Sequence, residues 1–140
     1  QEINVALGGS LHQFVHREKD FMDHREDKSL PLDAQYAPVH PVTLKRDGVL
    51  YAALQKRTLM VNSLHQQGIN RLANSLQTEC VADDGLIEGF SLRDRRRFML
   101  GVQWHPEWQV MSNPDYQKIF DCFARACWQH KTDRPASHAD

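Results

Sequence analysis

A histidine and a carboxylate stand two residues apart, His105 and Glu107, directly after the apolar residues 98–104. At the end of a strand both side chains can reach one site. A histidine whose second ring nitrogen is held by a carboxylate is suited to act as the base of a nucleophile–histidine–acid triad. A structural hydrogen bond between the two side chains is the alternative that the spacing leaves open.

The cysteines Cys80, Cys122 and Cys127 are an odd number and form no CxxC pair, so the sequence predicts reduced thiols and no disulfide framework. A catalytic thiol needs a nearby base or a helix N-terminus to activate it. Cys80 lies in a predicted hairpin strand, and the other two lie within a predicted C-terminal helix. We therefore expect none of them to be a nucleophile.

Histidines and acidic residues within positions 12–26 raise the possibility of a metal site, since both are ordinary zinc ligands. They are His12, His16, His24, Asp20, Asp23 and Glu26. Only His12 and His16 have a helical spacing, and the region has no convincing apolar face. We expect a solvated charged loop and no metal site.

The overall composition excludes several classes of protein. The 140 residues include 17 basic and 18 acidic side chains, a net charge of -1 that gives no footprint for nucleic acid despite the arginines at 93 and 95–97. There is no apolar run of about 18 residues and no signal-peptide pattern, so we expect no membrane association and a cytoplasmic location.

The first half of the chain contains few regular patterns. Residues 1–7 predict the end of a helix that stops at Gly8 and Gly9, and residues 10–38 predict a surface loop. Strands are predicted at 39–46 and 58–62, with a helical turn at 49–54 between them. The second strand leads into the polar segment 63–68, where functional residues are often found.

The second half contains clearer signals. Asp83, Asp84 and Gly85 separate two strand-like runs at 78–82 and 86–92 and so predict a hairpin. Residues 98–104 predict a further strand. Asn113 and Pro114 predict a helix start, with an apolar face on the helix. That face comprises Ile119, Phe120, Phe123, Ala126 and Cys127. We expect a single domain over residues 1–130 and a polar, frayed tail over 131–140.

Four segments resemble the class I glutamine amidotransferase-like hydrolases of the peptidase C26 type: residues 1–12, 61–68, 84–88 and 101–108. The similarity runs in order from Gln1 to about Trp128. It implies an α/β fold, a flavodoxin-like three-layer sandwich, of which this chain would form the C-terminal half. The remaining strands of the central sheet would then come from elsewhere.

The resemblance also implies a Cys-His-Glu triad with His105 as the general base and Glu107 as its orienting partner. In the family the nucleophile lies in a Gly-x-Cys-x-Gly-x-Gln elbow, and the glutamine of that motif matches Gln1. The nucleophile would then lie four positions before Gln1, in a missing N-terminal half of the domain. We expect this chain alone to be inactive.

The reaction that the resemblance implies is hydrolysis of the gamma-glutamyl amide of gamma-glutamyl-gamma-aminobutyrate to glutamate and 4-aminobutyrate, a step of putrescine breakdown that needs no cofactor. Gln1 would lie near the gamma-glutamyl group of this small-molecule substrate. The loop 62–66 would line the pocket, with Ser63 and His65 as the polar contacts, although a surface loop is the alternative for His65. Trp104 and Trp108 would either wall the site or pack the end of the strand.

Two other functions stay open. One is a glutaminase of the same clan that passes ammonia to a synthetase. The other is an inactive fragment that keeps the fold and acts as a binding module. The sequence leaves a homo-oligomer possible and does not define the range of gamma-glutamyl substrates.

Overall fold

The computed structural model describes residues 1–132, and within that range the chain forms one seven-stranded sheet flanked by helices. The helices are α1 (Glu2–Ala6), α2 (Leu32–Gln35), α3 (Val49–Leu54) and α4 (Pro114–Thr132). The strands are β1 (Ser10–His12), β2 (His40–Leu44), β3 (Thr58–Val61), β4 (Gly68–Arg71), β5 (Leu76–Ala82), β6 (Ile87–Leu92) and β7 (Leu100–Val102). Short 3-10 turns cover Val15–Arg17 and Val110–Ser112.

The strand order is β1-β4-β6-β5-β2-β3, and β7 also pairs with β6. Every strand pairing within the described range is antiparallel. The β5–β6 hairpin confirms the prediction at 83–85. Its turn places Gly85 at φ 88°, in the left-handed region that glycine adopts without strain. The hairpin lies at the centre of the sheet: β5 also pairs with β2, and β6 also pairs with β4 and β7.

The main core lies between one face of the sheet and helices α3 and α4. It contains Val42, Leu50, Val61, Cys80, Trp104 and Ile119, among others. Glu79 is fully buried at its edge, where its carboxylate accepts hydrogen bonds from the Leu50 backbone N–H (3.0 Å) and the Ser91 hydroxyl (2.6 Å). This carboxylate joins the start of α3 to the central hairpin.

The prediction of a loop over residues 10–38 was wrong in part, because β1, α2 and a 3-10 turn lie there. β4 was not predicted at all. These elements have only three or four residues each, too few to show a hydrophobic period. β1 and β4 pair with each other across about 60 residues of chain, so long-range hydrogen bonds define them rather than local sequence. The predicted strand at 98–104 shortens to β7.

Helix α4 confirms the predicted start, since Asn113 Oδ1 accepts hydrogen bonds from the N–H groups of Asp115 (3.1 Å) and Tyr116 (3.2 Å). Its predicted apolar face is buried only at Ile119. Phe120 is 42% exposed and Phe123 is 56% exposed, although the Phe123 ring lies 6.1 Å from the Phe98 ring.

The predicted tail divides at Thr132: residues 131–132 end α4, and the rest of the tail lies outside the described residues. Within residues 1–132 no helix is long and apolar enough to cross a membrane.

Candidate active site

His105 and Glu107 form a hydrogen-bonded pair just beyond the end of β7. The distance from His105 Nδ1 to Glu107 Oε1 is 2.7 Å. An ionised carboxylate can only accept, so the hydrogen lies on Nδ1 and the lone pair of the neutral ring lies on Nε2. Nε2 makes no hydrogen bond with any described residue. The pair is solvent-accessible, with side chains 42% and 61% exposed, and this arrangement leaves His105 ready to accept a proton.

Asn62, the residue after β3, positions His105. Its Oδ1 accepts from the His105 N–H at 2.8 Å, and its Nδ2 donates to the His105 carbonyl at 3.1 Å. The Asn62 side chain is 1% exposed, and both hydrogen bonds are partly buried. The backbone of the candidate base is thereby tied to a second strand end.

An aromatic pair borders the candidate base. The Tyr36 ring stacks on Trp108 with centroids 4.4 Å apart, and it meets His105 edge-on at 5.7 Å. Trp104 instead is buried in the core. The two tryptophans therefore have different roles, and only Trp108 lies beside the exposed pair.

A cleft of about 600 Å³ opens beside His105. It is lined by Gln1, Glu2, Ile3, Leu64, His65, Gln66, Gln67, Val102, Gln103 and His105. Four of these ten residues are glutamines. Gln1 Nε2 donates to the Gln67 carbonyl at 3.0 Å, and Gln103 Nε2 reaches the same oxygen at 3.5 Å. The cleft can therefore offer both donors and acceptors to a polar ligand.

The three residues predicted to contact substrate lie in different environments. Gln1 lines the cleft. His65 also lines it but is only 8% exposed, and its Nδ1 donates to the Gln67 carbonyl at 2.8 Å. Ser63 is buried behind the cleft wall, where its hydroxyl donates to the His24 carbonyl at 2.8 Å. A substrate contact by Ser63 stays a prediction without a supporting contact among the described residues.

The cysteines of the chain lie away from the candidate base. Cys80 is fully buried in the core. Burial raises the pKa of the Cys80 thiol well above its usual range, and the charges of Glu88 and Glu79 raise it further. Cys122 and Cys127 lie on α4, and neither lines the cleft at His105. The site thus brings together a candidate base and a candidate orienting acid, and within the described residues no thiol joins them.

A separate buried group of residues has the chemistry of a metal site. His24, His40 and Glu88 each offer one ligand atom, and these atoms lie within 4.8 Å of one another. Of the residues weighed from the sequence as metal ligands, His24 alone belongs to this group.

Tyr36, Gln67 and Gln103 were not predicted as neighbours of the candidate base, and Asn62 was predicted only as part of the loop that lines the pocket. The adjacency of Asn62 to the polar loop 63–68 was the available signal for that residue. No feature of the sequence marked Tyr36 as a site residue. It lies in a segment without hydrophobic periodicity, and only the tertiary fold brings it next to His105.

Comparison with known proteins identifies a family and several relatives. A family model described as Peptidase C26 matches residues 1–107. The chain is 40% identical over 135 residues to gamma-glutamyl-gamma-aminobutyrate hydrolase PuuD of Escherichia coli K12, covering 96% of this chain and 53% of that protein. It is 42% identical over 131 residues to gamma-glutamyl-gamma-aminobutyrate hydrolase of Shigella flexneri, covering 93% of this chain and 51% of that protein.

Among solved structures, a putative GMP synthase protein from Thermoplasma acidophilum matches with a TM-score of 0.63 at 16% identity. The match covers 93% of this chain and 54% of that one. At this identity the likeness shows the fold alone. The chain spans about half the length of the curated relatives it matches.

Proposed function

The chain belongs to the peptidase C26 family and has the α/β fold of class I glutamine amidotransferases; from this we propose that it carries the base and the acid of a gamma-glutamyl amide hydrolase. The observation that carries the proposal is the 2.7 Å contact between His105 Nδ1 and Glu107 Oε1 beside a polar cleft. The proposed substrate is gamma-glutamyl-gamma-aminobutyrate, and the products are glutamate and 4-aminobutyrate. Its place in putrescine breakdown and a cytoplasmic setting rest on the resemblance.

In the proposed reaction a cysteine thiol gives its proton to His105 Nε2, and the thiolate sulfur bonds to the amide carbonyl carbon. The carbon–nitrogen bond then breaks as His105 returns the proton to the departing amine. Water attacks the resulting thioester while His105 accepts one of its protons. Glutamate is released and the thiol re-forms.

Glu107 holds the imidazole in the tautomer that this cycle needs. Because its carboxylate accepts the Nδ1 hydrogen, the lone pair is kept at Nε2. Its negative charge also stabilises the imidazolium that forms when His105 takes a proton. The Tyr36 ring, which stacks on Trp108, lies edge-on to the His105 ring on one side.

The nucleophile would come from a polypeptide segment outside this chain. Two features support this part of the proposal. Cys80 is buried with a raised pKa, and the apolar side chains of α1 and α4 are exposed. They include Ile3 (42%), Val5 (50%), Phe123 (56%) and Trp128 (67%). A segment carrying the nucleophile would have apolar surface to pack against.

The substrate's glutamyl group needs donors for its carboxylate and acceptors for its ammonium. The side chain of Gln1 supplies both kinds of group at the cleft. His65 contributes to the wall of the cleft, although its Nδ1 hydrogen is already used by the Gln67 carbonyl.

The test joins this chain to the part of the E. coli relative that precedes the matched region. We expect the folded fusion to release 4-aminobutyrate from gamma-glutamyl-gamma-aminobutyrate, measured by chromatography, and the 140-residue chain alone to release none. The fusion carrying His105→Gln is the matched control and should be inactive. A folded fusion that hydrolyses only glutamine, and only with a synthetase, would indicate an ammonia-donating glutaminase. A folded fusion with neither activity would indicate a binding module.

A further inference from the structure

Three histidines and a glutamate meet in the interior of the chain, apart from the exposed pair at His105. His24 lies in the loop before α2, His40 begins β2, His65 lies between β3 and β4, and Glu88 lies in β6. Their exposed fractions are 1%, 8%, 8% and 1%. Buried ionisable groups at this density need partners that satisfy them, because an unpaired charge in the interior is strongly destabilising.

One ring nitrogen of each histidine forms a hydrogen bond with an oxygen that can only accept. The three contacts are His24 Nε2 to Asp84 Oδ2 at 2.7 Å, His40 Nδ1 to the Pro41 carbonyl at 3.1 Å, and His65 Nδ1 to the Gln67 carbonyl at 2.8 Å. The ring hydrogens must therefore lie on these nitrogens, and the other nitrogen of each neutral ring carries a lone pair. Carboxylates and backbone carbonyls orient metal-binding histidines in this way.

Two of the remaining nitrogens lie close to the Glu88 carboxylate, and a ring nitrogen of His40 lies within 4.8 Å of ligand atoms of His24 and Glu88. His65 Nε2 lies 3.3 Å from Glu88 Oε1, and His24 Nδ1 lies 3.5 Å from the same oxygen. Both Glu88 oxygens, His40 Nε2 and His65 Nε2 are buried without a hydrogen-bond partner among the described residues. Ser63 Oγ lies 3.2 Å from His24 Nδ1 but gives its hydrogen to the His24 carbonyl. With neutral rings, lone pairs thus converge on an anion, which is repulsive unless a metal cation or an added proton lies among them.

We propose that His24 Nδ1, His40 Nε2, His65 Nε2 and Glu88 bind a divalent zinc-class cation. Three imidazole nitrogens and one carboxylate oxygen are ordinary zinc donors. With bonds of about 2.0–2.1 Å, tetrahedral ligands lie about 3.4 Å apart. The two contacts at Glu88 Oε1, 3.3 and 3.5 Å, already have that spacing. The charges of Glu88 and Asp84 balance those of the ion.

Four protein donors fill a tetrahedral shell, so the ion would have a structural role and leave no open position for a substrate. It would join β2 and β6 to the loop that follows Asn62. That loop carries His65, which also lines the cleft, and Asn62 holds the backbone of His105. The ion would thereby position the wall of the candidate active site, and the proposal does not depend on which amide is cleaved there.

The first test measures metal in the full 140-residue chain, purified without a histidine tag from zinc-supplemented cells. We expect one equivalent of zinc per chain by mass spectrometry after dialysis, and a higher unfolding temperature with zinc than after treatment with a chelator. X-ray absorption should show four nitrogen or oxygen neighbours at about 2.0–2.1 Å. A folded chain that neither contains zinc nor takes it up would overturn the proposal and favour histidinium–carboxylate pairing at Glu88.

The second test compares His40→Gln and Glu88→Gln with His12→Gln and Glu79→Gln, which remove a histidine and a buried glutamate outside the cluster. The first two variants should lose the bound zinc, and the second two should keep it. Asp84→Asn should weaken zinc affinity roughly 10–100-fold, as expected for a residue that orients a ligand. Circular dichroism checks folding. Equal zinc in all five proteins would place the ion elsewhere and contradict the proposal.

Discussion

The Asn62 side chain clamps the His105 backbone from both sides, accepting from its N–H at 2.8 Å and donating to its carbonyl at 3.1 Å. This clamp joins the end of β3 to the residues that follow β7. The position of the candidate base therefore depends on a residue 43 places earlier in the chain.

Replacing Asn62 with alanine should loosen the base and destabilise the protein. Two backbone groups of His105 would lose their partner, at a cost of roughly 1–3 kcal/mol in the free energy of unfolding. Urea unfolding of the variant would measure this loss. Asn70→Ala, at an exposed asparagine of β4, is the matched control and should unfold like the wild type. An unchanged unfolding midpoint for Asn62→Ala would show that the clamp contributes nothing to stability.

His105→Gln should reduce kcat of the active fusion described above by roughly 10²–10⁴-fold, the usual contribution of a positioned acid–base group. The exposed side chain makes little contribution to packing, so the unfolding midpoint should stay the same. Steady-state assays of 4-aminobutyrate release would measure the effect. His130→Gln, on the exposed end of α4, serves as the control. Full activity in the His105 variant would remove it from the proposed role of base.

Glu107→Gln should also lower kcat, because a neutral amide does not stabilise the imidazolium and permits the other tautomer. We expect KM to change little, since Glu107 is not among the residues that line the cleft. Comparison of kcat and KM separates this positioning role from substrate binding. A rise in KM at constant kcat would instead indicate that Glu107 binds the substrate.

Glu79→Ala should be among the most destabilising single changes in the described residues. It leaves the Leu50 N–H and the Ser91 hydroxyl buried without an acceptor, at roughly 3 kcal/mol for the two groups together. Denaturant unfolding measures the change, with Glu18→Ala as the control at an exposed glutamate. Equal stability of the two variants would show that the Glu79 carboxylate does not stabilise the start of α3.

The thiols should differ in reactivity in the folded protein. Burial raises the pKa of the Cys80 thiol, so it should stay protonated and unmodified by iodoacetamide even at alkaline pH, whereas exposed Cys127 should react. Mass spectrometry of the labelled native and unfolded chain measures both. In the active fusion, a Cys122→Ser, Cys127→Ser double variant should keep full activity. Loss of that activity in the folded variant would indicate that a cysteine of α4 is the nucleophile.

Interactions between residues close in the chain could be predicted from the sequence. The turn at 83–85 defined a hairpin, and Asn113 defined the start of α4, because a turn and a cap each depend on a few consecutive residues. The hydrogen bond between His105 and Glu107 belongs to the same class, since the two residues lie two positions apart. The family motifs identified the fold.

Tertiary structure alone decided the interactions that join distant segments. β1 and β4 exist because each supplies the other's hydrogen bonds, and Tyr36 reaches His105 across almost 70 positions. The cluster at Glu88 draws its histidines from three separate segments, and no spacing in the sequence marks them as neighbours. Such contacts depend on how the sheet packs, and sequence patterns of period 2.0 or 3.6 carry no information about that packing.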